Sequence, residues 1–68
     1  MNKYDWSNVP KEVKWIAKDC DGAFFGFDFK PILNVLGFSR VKGFKSRLFI
    51  SQVSVAWQDS LEERPNDH

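Results

Sequence analysis

The sequence predicts a mainly β fold: a small β-rich α+β domain in which an antiparallel sheet of three or four strands, led by a hairpin over residues 13–29, carries one-turn helices. Three observations predict it. Apolar residues alternate on both sides of Asp21-Gly22, a turn-forming pair. Short strand-like runs follow at 38–44 and 47–50, and each helix signal is long enough for one turn only. Eleven aromatics (seven Phe, three Trp, one Tyr) in 68 residues supply the bulk that so short a chain needs to make a core by packing. Residues 1–68 therefore read as one domain, with 66–68 expected to fray.

The first element is a turn. Ser7-Asn8-Val9-Pro10-Lys11-Glu12 offers a capping side chain and an early proline, enough for one helical turn that lays Trp6 against the sheet. The hairpin comes next, and its register can be argued. A two-residue Asp21-Gly22 turn would set Trp15 opposite Asp28 and mix charged with apolar residues on both faces. A three-residue loop, Cys20-Asp21-Gly22, instead sets Ala17 opposite Phe25, Trp15 opposite Phe27 and Val13 opposite Phe29. One face is then apolar, and Lys14 opposite Asp28 with Lys18 opposite Phe24 fall on the other. Trp15 belongs to the core on this register, and Gly22 takes the left-handed position that closes the loop.

After the hairpin, Pro31 to Gly37 has helix-like apolar spacing between a starting proline and a closing glycine, yet it is short enough for an extended crossing. Alternation of Phe38, Arg40, Lys42 and Phe44 reads as a strand that Gly43 ends or bulges. Arg47-Leu48-Phe49-Ile50 is a further strand, and the phase changes at Ser51-Gln52. Ser60-Leu61-Glu62-Glu63 has capping-box spacing, and Trp57 with Leu61 is expected to fold the tail back onto the sheet.

Composition excludes several function classes. The lone histidine is His68, so a Ser/His/Asp set has no base, and a structural zinc lacks ligands. Cys20 forms no intrachain disulfide, and Asp19 and Asp21 beside it disfavour its thiolate. Catalytic residues, metal ligands and cofactors are accordingly expected to be absent, and the chain is expected not to be an enzyme. Without an apolar run near the roughly 18 residues of a span, or an apolar leader at the start, the expectation is a protein of the cytosol with no membrane partner.

Charge layout carries more than net charge. Residues 1–29 hold four Lys and five acids, and 48–68 hold one Arg and four acids. Between them, 30–47 carry Lys30, Arg40, Lys42, Lys45 and Arg47 with no acid. Phe38 and Phe44 are interleaved with this basic island. Phe38, Arg40, Lys42, Phe44, Lys45 and Arg47 are thus the candidate partner-binding residues, the cations supplying charge and a phenylalanine the anchor. The competing reading places Phe38 and Phe44 in the core and leaves the cations to solvate an edge strand.

Longer strings carry a resemblance. Tyr4-Asp5-Trp6-Ser7-Asn8-Val9-Pro10, the hairpin Trp15 to Gly22, Lys30-Pro31 and the closing Trp57-Gln58-Asp59-Ser60-Leu61-Glu62-Glu63-Arg64-Pro65 resemble the layout of small phage and prophage accessory proteins. The likeness covers both ends and the hairpin, while 32–56 departs freely. It implies a phage genome context and a host-cell cytosol, with no activity to carry over. The first functional expectation is a non-enzymatic phage protein that binds a host or phage protein, inhibition of a host enzyme or defence complex being one form of this. The alternatives are a single-stranded nucleic acid or RNA-binding module using 38–47, and a self-associating virion component using an exposed Phe24.

Overall fold

The computed structural model describes residues 3–51 and 53–65; the end expected to fray, 66–68, lies outside them. Asp21-Gly22 closes the hairpin as its chemistry predicts. Gly22 sits at φ +92°, and its N–H donates to the Asp19 carbonyl at 2.9 Å. Asp21 Oδ1 accepts the Ala23 N–H at 3.0 Å, the local bond that suits Asp to turns. Strands β1 (Trp15–Lys18) and β2 (Phe24–Phe27) then pair antiparallel with Trp15 opposite Phe27, Ala17 opposite Phe25 and Lys18 opposite Phe24, the register the three-residue loop requires.

The fold is mainly β, with antiparallel sheets of four and two strands. Strands β3 (Ile32–Asn34) and β4 (Gly37–Ser39) form a separate two-stranded ribbon, in place of the helix or crossing expected there. Strand β5 (Lys45–Leu48) pairs with β2, and β6 (Glu62–Glu63) pairs with β1, giving the order β5-β2-β1-β6. A 3-10 turn, Trp57–Asp59, precedes β6. The strand expected over 38–44 ends at Ser39 and the chain bends through Arg40–Phe44. The 7–12 segment makes hydrogen-bonded turns, Val9 N–H to Trp6 O and Val13 N–H to Pro10 O, rather than a helical turn.

Paired residues share a face, so Trp15, Ala17, Phe25, Phe27, Lys45 and Arg47 lie on one side of the large sheet. Ile16, Phe24, Gly26 and Leu48 lie on the other. The sequence points to one buried face; the structure buries both. Tyr4, Trp6, Val9 and Val13 form an arm that covers the Phe24 face, joined by Phe44, Leu48, Ile50 and Val53. Val13 crosses to this side because the chain turns at Pro10 before the strand starts, and Gly26 makes the crossing possible: a Cβ there would lie 2.8 Å from a Val13 methyl. The Phe27 face is covered over Ala17 and Phe27 by Phe38, Trp57 and Leu61. Trp15 is only half-buried, a correction to its expected place in the core: it packs against the Ala17, Phe27 and Phe38 cluster, and Lys30 lies over its ring.

The tail closes the arm. Ser60 is not the N-cap its capping-box spacing predicts but closes the Trp57–Asp59 turn: fully buried, its Oγ accepts the Lys18 N–H at 2.7 Å and donates to the Trp57 carbonyl at 2.6 Å. Tyr4 donates its hydroxyl to the Ser60 carbonyl (2.6 Å), and Trp6 Nε1 donates to Glu62 (2.8 Å). Arg64 donates to the carbonyls of Val13 (2.8 Å), Pro10 (2.7 Å) and Val9 (3.3 Å) while its guanidinium covers the Trp6 ring. The resembling opening and closing strings are thus two halves of one clamp.

Candidate functional site

The six residues predicted to meet a partner do not share one surface. Phe38 is 3% exposed and sits in the core of the Phe27 face, in edge-to-face contact with Trp57. Phe44 is half-buried against the Phe24-face core, with its N–H bonded to Asp28 at 2.8 Å. Phe38 is therefore core, as the competing reading has it, while Phe44 is only partly covered. Phe24 is buried as well, which removes the exposed patch on which self-association was expected to rest.

The cations remain outside. Arg40 and Lys42 lie in the exposed bend, where Arg40 Nη1 donates to the Gly43 carbonyl at 2.7 Å. Lys45 and Arg47 lie on β5, an outer strand of the sheet. Lys45 is already engaged: its Nζ pairs with Asp19 at 3.1 Å and donates to the Phe38 carbonyl at 2.8 Å. Arg40, Lys42 and Arg47 are the members of the predicted set that keep charge available at the surface.

An apolar feature was not foreseen. On the β3–β4 ribbon, Ile32 (58%), Leu33 (52%), Val35 (87%) and Leu36 (73%) are all exposed. Val35 and Leu36 form its two-residue turn, because Asn34 pairs with Gly37. Such turns are normally polar or glycine-rich, so apolar residues there serve no turn geometry. The ribbon is held from beneath by Asp19, whose Oδ1 accepts the Phe38 N–H at 3.0 Å, and is stiffened by hydrogen bonds from Asn34 to Ser39 and from the Leu36 N–H to Asn34. Ile32 pairs with Ser39, so Lys30 and Arg40 stand at the open end of the ribbon with Lys42 shortly beyond. Sequence periodicity missed this surface because Ile32, Leu33, Val35 and Leu36 fit a helix face as well as a ribbon.

Nothing among the described residues gathers three or more metal-ligating side chains. A hollow of about 640 Å³ beside the arm is lined by Trp6, Val9, Pro10, Lys11, Lys14 and Arg64, and its guanidinium is engaged with backbone carbonyls. Cys20 is exposed at the hairpin tip. No helix among the described residues is long and apolar enough to cross a membrane. No family model matches the chain, and no curated protein or solved structure does.

Proposed function

We propose that the chain is a small non-enzymatic binding protein whose β3–β4 ribbon docks on an acidic protein. The observation that carries this is the exposed quartet Ile32, Leu33, Val35 and Leu36 on a ribbon whose open end bears only cations. Exposed apolar residues gathered on one element mark an interaction surface; Ile32 and Leu33 lie on opposite faces of the ribbon, and Val35 and Leu36 are adjacent at its tip. Lys30 and Arg40 at its open end, with Lys42 beyond, favour a partner that places carboxylates to one side of an apolar depression. A second copy docked symmetrically would bring these cations against themselves, so self-association through the ribbon is disfavoured. The likeness to phage accessory proteins supports a host-cell protein as the target, with inhibition of a host enzyme or defence complex as the biological outcome.

The test uses Val35→Asp with Leu36→Asp, two turn residues outside both cores. The wild-type chain should retain an acidic protein from bacterial lysate, and the purified partner should bind it directly with salt-sensitive affinity. The double variant should melt like the wild type and bind that partner at least about tenfold more weakly, since burial of each side chain is worth roughly 1.5–3 kcal/mol. Equal binding by the variant would refute the ribbon as the docking surface.

A further inference from the structure

We infer that the β5 margin of the Phe27 face is a second binding site, one that takes single-stranded nucleic acid. Its rings, Phe25, Phe29 and Phe49, and its cations Lys45 and Arg47 play no part in the protein-binding reading, while Arg40 and Lys42 serve both.

Three cations lie over three aromatic rings along this margin. Lys42 Nζ is 4.3 Å from the Phe29 ring centre, Lys45 Nζ is 4.5 Å from that of Phe25, and the Arg47 guanidinium carbon is 5.2 Å from that of Phe49. The register explains the grouping, for Phe27 pairs with Lys45 and Phe25 with Arg47, which puts both cations on the aromatic face. Asp28 bonds to the Phe44 N–H, so Phe29 comes next to position 43, and Phe49 lies six residues further, roughly 20 Å away at 3.3 Å per residue. That span fits a few nucleotides. The outer rings are open: Phe29 is 45% exposed and Phe49 is 88% exposed.

Charge supports the same ligand. From Phe29 to Gln58 the chain holds no Asp or Glu. Four acids reach the margin from other segments: Asp19 pairs with Lys45, Asp28 caps the Phe44 N–H, Asp5 beside Phe49 accepts from Ser7, and Glu12 lines a hollow with Arg47. Lys45 therefore fixes the Phe25 ring, while Lys42, Arg47 and the unspent donors of Arg40 face solvent and suit phosphates. A cation over an exposed ring is worth a factor of about two to five, whereas a base stacked on an aromatic is worth from about five to over a hundred. A base can thus displace the cation from the ring, and the displaced cation is then placed for the adjoining phosphate. An acidic peptide would meet the cations but offers no flat groups for the rings.

The experiment is an anisotropy titration of the full chain with labelled oligothymidine and oligouridine. Three phosphate contacts on a single strand predict binding roughly fifteen- to twentyfold weaker at 200 mM than at 50 mM salt. Phe29→Ala and Phe49→Ala should each weaken binding at least about fivefold without moving the melting temperature, because both rings lie outside the cores. Val35→Asp with Leu36→Asp should bind the oligonucleotide like the wild type. The site is wrong if no binding occurs at 50 mM salt, if both ring variants bind unchanged, if the ribbon variant abolishes binding, or if polyglutamate competes as well as the oligonucleotide.

Discussion

The two faces of the four-stranded sheet are closed by different means. Over the Phe24 face lies a second layer of chain, the arm carrying Tyr4, Trp6, Val9 and Val13, tied down by Arg64, Ser60 and Glu62. Over the Phe27 face the chain covers only the middle, and the margin is covered by its own cations lying on rings. A layer of chain brings buried apolar area and satisfied backbone groups together. A cation on an exposed ring contributes only about 0.5–1 kcal/mol and can swing away. The first kind of cover makes stability, and the second leaves a surface on which a ligand can replace the cover.

Phenylalanines on the two sides should separate these roles most sharply. Phe24 is buried and meets the Tyr4 ring edge-on, with centres 5.7 Å apart. Phe24→Ala should cost about 3–5 kcal/mol, comparable with the whole stability of a domain this small, and the variant should lack a cooperative melt. Phe49→Ala should change stability by no more than about 0.5 kcal/mol. Similar losses at the two positions, measured by urea unfolding, would mean that the Phe27 margin is core.

Arg64 tests the fastening of the arm. Removing its side chain leaves the Val13, Pro10 and Val9 carbonyls without their charged donor and uncovers Trp6. Arg64→Ala should cost about 2–3 kcal/mol and open the arm to trypsin at Lys11 and Lys14 before the sheet is cleaved. Arg64→Lys should recover only part of this, because an ammonium lacks the planar fork that reaches several carbonyls. Unchanged stability and protease resistance in Arg64→Ala would show that apolar packing alone holds the arm.

Much of this contrast was legible in the residues, and the rest was not for identifiable reasons. The hairpin register followed from Asp21-Gly22 and the two alternating runs, since a slip of one residue would have put Asp28 against Trp15. The sequence left Phe38 and Phe44 open between core and surface; the scarcity of core in a short chain accords with the burial of Phe38, while Phe44 is half-buried. The burial of the second face was hidden because its cover comes from Tyr4, Trp6 and Val9, which lie outside any strand and show no periodicity. Ser60 imitated an N-cap because a serine that accepts one backbone N–H looks the same in sequence whether the donor is local or, as here, Lys18. Of the candidate site, the cations were legible from the acid-free stretch. Which rings they cover depended on β2–β5 pairing, a contact that local patterning does not encode.

The smallest effect, and the one that reads the closed face directly, is titration of Tyr4, the chain's single tyrosine. Burial under the arm pushes its phenol up to about 12, and the nearby Glu62 carboxylate acts in the same direction. The unfolded phenol ionises near 10, so between the two values the folded state holds a proton that the unfolded state has released. By linkage, the stability this contributes is fully present below pH 10 and is lost as pH rises through about 12. Ultraviolet absorbance should therefore show no tyrosinate near pH 10 in the native protein and a normal transition there in urea. Tyr4→Phe should flatten the decline in melting temperature over that window, although it forfeits the hydrogen bond to the Ser60 carbonyl. Ionisation near pH 10 with the sheet still folded would mean that the arm lifts from the Phe24 face without unfolding it, and the two faces would then differ in composition but not in how firmly they are closed.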